Sequence, residues 1–455
     1  MNVIFLSGGS GKRLWPLSNE VRSKQFLKIF KLPDGSYESM VQRMYRMLIS
    51  ISPESSVTFA TSENQVSSIR AQLGEDVGIS VEPCRRDTFP AIVLASAYLH
   101  EMKNINLDEP VIVCPVDAFV EDDYFQALKQ LDKMVKNGSR HIALMGIEPT
   151  YPSEKYGYII PEKKDELGHI ALSDKIERVA SFKEKPSTEQ AKAYIDQGAL
   201  WNGGIFAFKL SYILNKAQKL FGTCNYRWLF EKYETLPKIS FDYAVVENES
   251  DIAVLCFSGQ WKDIGTWNTM TEAMSDLVSG NALIDKCSNT HVINELQIPL
   301  IALGCHNMAI AATPDGILVT DKEVSTKLKS YVTDARPMYE ERPWGDYQVL
   351  DYRRSDDGQN SLTKHLVIKA GKHISYQIHR YRSEYWTITD GEGIVILDGV
   401  EYEISRGSTA YIKPGMKHAV KAGKIDLHII EVQMGNELTE EDIERLDFDW
   451  DSVMV

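Results

Sequence analysis

With 455 residues and 43% apolar side chains, the chain has material for about two to four ordinary cores. Its net charge of -14, with no lysine and arginine block to override the sum, excludes a general nucleic-acid binder, so phosphate binding has to be local. No run approaches the ~18 uncharged apolar residues of a membrane span, and the first residues read straight into a strand, so a cytoplasmic protein without a membrane partner is expected.

The apolar run Val3 to Leu6 reads as a first strand, followed by Ser7-Gly8-Gly9-Ser10-Gly11-Lys12-Arg13. Gly8, Gly9 and Gly11 permit positive φ and let backbone N–H groups approach an anion with no Cβ in the way; Lys12 and Arg13 add charge beside them. A nucleoside triphosphate suits such a turn, and the alternative is a plain tight turn. A P-loop fails twice, because Leu6 stands where its first glycine belongs and Arg13 where its Ser or Thr belongs. A dinucleotide G-x-G-x-x-G fails at Leu14.

Further strands are expected at Val57 to Ala60, Val111 to Cys114 and Ile142 to Gly146, with helices at Phe89 to Lys103 and Tyr124 to Lys136. That alternation, up to about residue 285, predicts an α/β domain with a largely parallel sheet and a ligand site at the strand carboxyl ends. Polar residues stand at several such ends. Arg86, Asp87 and Thr88 meet a helix start, where Asp87 or Thr88 would cap and the dipole favours anions. Asp117 follows Val111 to Val116 and is either a hard ligand for Mg²⁺ or a turn aspartate.

Glu184 and Lys185, in Phe182 to Pro186, offer a hydroxyl acceptor and a phosphate-binding charge, or else a solvated charge run. Asn202 stands beside Gly203 and Gly204, an amide that donates and accepts next to glycines that admit a ligand. Asp263, bracketed by Trp261, Gly265 and Trp267, supplies a second carboxylate for an octahedral magnesium shell. The six cysteines have no C-x-x-C spacing, and free, mostly buried thiols are expected.

From about 286 to 340, brief segments at His291 to Ile293, Leu300 to Leu303, Met308 to Ala311 and Ile317 to Thr320 suit a small β-solenoid or hairpin layer without a catalytic role. From about 341 strands dominate, broken at Asp390-Gly391, Asp398-Gly399 and Pro414-Gly415, which reads as a compact β-barrel. Glu437 to Leu446 reads as an acidic closing helix.

The combined motifs resemble those of the type II mannose-1-phosphate guanylyltransferases, bacterial sugar-nucleotide pyrophosphorylases, over nearly the whole chain. They are G-G-x-G-x-R-L-W-P-x-S at Gly8 to Ser18, Lys24-Gln25-Phe26, F-x-E-K-P at Phe182 to Pro186, W-N-x-G-x-F at Trp201 to Phe206, Phe241-Asp242-Tyr243-Ala244-Val245 and W-x-D-I-G-x-W at Trp261 to Trp267. The resemblance implies a Rossmann-like nucleotidyltransferase domain with a mixed, mostly parallel sheet at 1–285, a β-rich linker at 286–340 and a cupin barrel at 341–455.

It also implies GTP and mannose 1-phosphate as substrates and GDP-mannose as product. Arg13 and Lys24 would hold the triphosphate on the turn of Gly8, Gly9, Gly11 and Lys12, with Arg86, Asp87 and Thr88 at the nucleotide. Asp117 and Asp263 would hold Mg²⁺, Lys185 the sugar phosphate, and Glu184, Asn202 and Gly204 the hexose. Two departures stand out: Asp87 replaces the usual asparagine of R-N-T, and Ala118 the usual histidine after Asp117. Another nucleotide or sugar, and a non-catalytic sugar-nucleotide sensor, are the alternatives.

Within the barrel, Gln377 to Trp386 and Pro414 to His418 fit the two motifs of a mannose-6-phosphate isomerase-like cupin. His379, Glu384 and His418 would converge on Zn²⁺ or another divalent ion, although Tyr381 stands where an H-x-H pair has its second imidazole. The barrel either isomerises a sugar phosphate or serves stability and contacts in a homodimer.

Overall fold

The computed structural model describes all residues except 10, 11, 20, 139, 163–175, 333–335, 448, 449 and 451–455, and only the backbone of 177 and 441. The chain divides into two compact units. One comprises Met1–Ser10, Ser23–Val66 and Glu75–Ser275; the other comprises Gly11–Arg22, Ser67–Gly74 and Asp276–Val455. Among the described residues no helix is long and apolar enough to cross a membrane.

The first unit is built on a nine-stranded sheet in the order Gly78–Glu82, Ser56–Ser62, Asn2–Leu6, Pro110–Pro115, Leu200–Lys209, Ile142–Ile147, Ile252–Phe257, Ile176–Lys183, Gly157–Pro161. Leu200–Lys209 and Ile176–Lys183 run against the rest, so the sheet is mixed and mostly parallel. Strands covered on both faces need unbroken apolar runs, which is why Val3, Ile4, Phe5, Val111, Ile112 and Val113 are all fully buried. Helix Thr88–Glu101 is buried from Phe89 to Ala97 and forms the centre of the main core.

In the second unit, Val278–Gly280, His291–Asn294 and Met308–Thr313 stack in parallel, as do Ala282–Asp285 and Leu300–Leu303. Gly316–Asp321 closes the stack as an antiparallel hairpin partner. Val292, Ala302 and Ile310 form its small core. The barrel has a six-stranded and a five-stranded sheet. Alternating burial along Asn360–Ile368 and Leu427–Gly435 gives it an inner face.

Two expectations are corrected. The acidic tail is not a helix: it makes a short turn at Glu440–Asp442 and then a strand, Glu444–Asp447, that pairs with Tyr376–Ile378. An open strand edge and the backbone N–H groups of Arg380 and Tyr381, both bonded to the Asp442 carboxylate, outweigh local helix preference. The six cysteines are thiols and not disulfides, yet only Cys114 is fully buried, since the other five stand near or beyond element ends.

Candidate functional site

Asp117 emerges just after Pro110–Pro115, and the short strand Trp261–Asp263 pairs antiparallel with Ala118–Val120 so that Asp263 lies opposite Ala118. This ribbon joins two carboxylates far apart in sequence. Lys24 Nζ lies 2.7 Å from Asp117 Oδ2 and 3.3 Å from Asp263 Oδ1, and donates to the Ile264 carbonyl at 2.7 Å. Burial works against the ammonium charge, but the two carboxylates outweigh it and hold Lys24 above its ordinary pKa. A cation thus already stands where the two aspartates converge.

Gly8 and Gly9 continue from the first strand, and the Gly9 carbonyl accepts hydrogen bonds from Ser23 Oγ at 3.0 Å and Gln65 Nε2 at 3.1 Å. Gln25 Nε2 donates to the Ser7 carbonyl and to Gln65 Oε1, at 3.1 and 3.2 Å. Gly11 lies outside the described residues. Lys12 and Arg13 fall in the short helix Lys12–Leu14 of the second unit, with Arg13 exposed.

Asp87 has φ 69° and caps Thr88–Glu101, its Oδ1 accepting from Thr88 N at 2.8 Å. Thr88 Oγ1 accepts from Phe241 N at 2.8 Å, and Arg86 donates to the Glu234 carbonyl. Arg86 and Thr88 therefore knit the helix start to the segment 234–241, while Asp87 caps it. Nearby, Glu82 ends its strand within 3.8 Å of where a Cβ on Gly8 would stand, and Tyr233 OH donates to it at 2.8 Å. Burial pushes the Glu82 carboxyl up to about 7, with Tyr233 pulling the other way.

On the Leu200–Lys209 strand a register shift between Asn202 and Phe206 throws out a bulge, with Gly204 at φ 73°. Asn202 Nδ2 donates to Asp242 Oδ1 at 2.7 Å, and its Oδ1 accepts from Gly204 N at 3.1 Å. Burial pushes Asp242 up to about 6 against that hydrogen bond, with Glu184 adding to the rise. Glu184 is largely covered and pairs with the 62% exposed Lys185.

In the barrel, His379, Glu384 and His418 bring their ligand atoms within 4.8 Å of one another, all three buried. His379 Nδ1 lies 2.8 Å from the Asp442 carbonyl and His418 Nδ1 3.1 Å from that of Met416. Each ring donates there, which turns the Nε2 lone pair inward. Burial lowers His418 to about 4, despite the Glu384 carboxylate. Arg382 Nε donates to Glu384 Oε1 at 2.9 Å and Trp386 Nε1 to Glu384 Oε2 at 3.1 Å. Gln377 Nε2 stands 3.4 Å from both Nε2 atoms.

Residues 2–280 match the nucleotidyl transferase family, and residues 332–448 match the C-terminal domain of mannose-6-phosphate isomerase. The mannose-1-phosphate guanylyltransferase RfbM of Salmonella typhimurium is 30% identical, across 98% of this chain and 96% of its own. The chain belongs to the mannose-1-phosphate guanylyltransferase family. The xanthan biosynthesis protein XanB of Xanthomonas campestris pv. campestris is 31% identical over 98% of this chain and 97% of its own. A crystal structure from Thermus thermophilus, named mannose-1-phosphate geranyltransferase, superposes with a TM-score of 0.61 at 26% identity, covering 72% of this chain and 97% of that one.

As in nucleotidyl transferases generally, the guanylyltransferase chemistry of this family uses a divalent metal. Four residues close to these groups escaped the sequence reading: Glu82, Gln65, Asp242 and Gln377. The last two sat inside quoted motifs, Phe241 to Val245 and Gln377 to Trp386, without a role. Gln65 and Glu82 carried no motif signal.

Proposed function

We propose that the protein transfers the guanylyl group of GTP to mannose 1-phosphate, forming GDP-mannose and pyrophosphate. The sugar phosphate oxygen attacks the α-phosphorus in line as the bond to the β-phosphate oxygen breaks, and pyrophosphate leaves with that electron pair. The observation that carries the reading is the convergence of Asp117 and Asp263 on one cation, the Lys24 ammonium. Two hard carboxylates around a positive charge are a donor set that fits Mg²⁺. Bound there, Mg²⁺ would neutralise phosphate charge and align the triphosphate.

Gly8, Gly9, Gly11 and Lys12 cradle the triphosphate with Arg13 and Lys24, while Arg86, Asp87 and Thr88 flank the nucleotide. Glu82 joins them as a carboxylate suited to guanine N1–H and N2–H₂, because the Asp87 carboxylate is engaged in capping its helix. Lys185 neutralises the sugar phosphate. Glu184, Asn202 and Gly204 bind hexose hydroxyls, with Asp242 orienting the Asn202 amide. We divide the chain at 1–285, 286–340 and 341–455, and assign it to the cytoplasm as a homodimer without nucleic-acid or membrane partners. Its product feeds polysaccharide synthesis.

A second reading concerns the barrel, on the strength of two inward Nε2 lone pairs and one carboxylate within 4.8 Å. That donor set fits Zn²⁺ or another divalent ion, which His379, Glu384 and His418 would hold. The ion would polarise a sugar carbonyl for aldose–ketose isomerisation.

Four nucleoside triphosphates assayed with mannose, glucose and fucose 1-phosphates and Mg²⁺ for pyrophosphate release test the main reading. GTP with mannose 1-phosphate is expected to be the fastest pair. Faster release with another pair shifts the substrate assignment, and no release with any pair removes the transferase reading.

A further inference from the structure

The segment that follows the phosphate turn is held by residues beyond the end of the transferase match at residue 280. Thr313 Oγ1 donates to the Pro16 carbonyl at 3.1 Å, and Asn19 Nδ2 to Asp315 Oδ2 at 3.1 Å. Arg22 makes two parallel hydrogen bonds of 2.8 Å to Glu295 and lies over the Tyr339 ring at 5.3 Å. The Trp15 ring fills the space beside Gly316, where an added Cβ would come within 2.5 Å of it.

The anchors are themselves held. Asn19 Oδ1 accepts from Val21 N at 2.9 Å and Arg22 N at 2.7 Å, which closes the turn before Lys24. Asp315 Oδ1 accepts from Met338 N at 2.8 Å, and its backbone N donates to Thr313 Oγ1 at 3.1 Å. Leu14, Leu17 and Ser18 are fully buried. Charge-assisted, bidentate pairs and buried turns fix a backbone path far better than scattered surface contacts do.

We propose that Glu295 and Asp315 are positioning residues for guanylyl transfer: from the β-rich linker they fix the course of Leu14 to Arg22, and through it the orientation of Lys12 and Arg13. The inference rests on the reading of Lys12 and Arg13 as triphosphate-binding cations. A loosened segment presents these charges to GTP over a wider range of poses, which weakens triphosphate binding and leaves sugar phosphate binding unaffected.

The test uses the full chain with Asp315→Asn, Glu295→Gln, Glu295→Asp and Arg13→Ala, varying GTP and mannose 1-phosphate separately, with thermal melts alongside. Asp315→Asn and Glu295→Gln are expected to raise the KM for GTP about tenfold and to leave the KM for mannose 1-phosphate within about twofold. Glu295→Asp, which keeps the carboxylate, should lose less than Glu295→Gln. A GTP KM within about twofold of the parent in folded Asp315→Asn overturns the proposal; if Glu295→Gln fails to fold, this isosteric variant decides alone. A proportional rise in both KM values also overturns it, as a general structural effect. An unchanged GTP KM in Arg13→Ala overturns the underlying loop assignment, and the proposal with it.

Discussion

Glu82 illustrates how a buried carboxylate reports its surroundings. Its folded pKa near 7 lies above the ordinary 4.5, because burial disfavours the charge more than Tyr233 favours it. The native chain therefore binds a proton that the unfolded chain has released. The associated stability is fully present below about pH 4.5 and is lost as pH rises through about 7. Glu82→Gln removes this titration, so its melting temperature should fall less than the parent's between about pH 5 and pH 8. Parallel falls in the two proteins would show that Glu82 titrates normally. Asp117 is legible in the sequence because it follows an apolar run, and Asp263 because Trp261, Gly265 and Trp267 bracket it. Glu82 is not, since the tyrosine that holds it lies 151 residues away.

At the level of elements, the bulge on Leu200–Lys209 breaks the regular pairing of a central strand at the residues proposed to bind the sugar. Gly204 at φ 73° lets the chain bend, and its N–H then locks Asn202 Oδ1. Gly204→Ala should cost about 1 kcal/mol of stability and raise the KM for mannose 1-phosphate more than that for GTP. Unfolding in urea and initial rates check both parts, and equal KM changes would detach the bulge from sugar recognition. Parallel strands such as Pro110–Pro115 are legible because two-sided burial demands uninterrupted apolar residues. The final strand, Glu444–Asp447, is not: its acidic pattern suits a helix, and its reason to be extended is a partner, Tyr376–Ile378, that local pattern does not disclose.

For the molecule as a whole, the transferase carboxylates and the barrel imidazoles belong to different folded units. Their chemistry should therefore separate cleanly. Asp263→Asn is expected to lower guanylyl transfer about a thousandfold, the equivalent of about 4 kcal/mol in the barrier, while leaving mannose 6-phosphate isomerisation with added Zn²⁺ or Co²⁺ intact. His418→Ala should do the reverse. If the parent makes no fructose 6-phosphate while transferring guanylyl groups, the barrel is structural. The succession of α/β domain, β-rich linker and barrel is legible from the changing period of apolar residues. That two stretches of the first 75 residues belong to the second unit is not, because the contacts that decide it run from Asn19 to Asp315 and from Gln72 to Glu341.

That interleaving bears on how such a chain can be inherited. A crossover between relatives at the end of the transferase match would bring Arg22 from one lineage and Glu295 from another, splitting a bidentate pair. Recombination should then favour exchange of the whole gene over exchange at the apparent domain border. Residues 14–22 and 295–316 are accordingly expected to drift together among descendants.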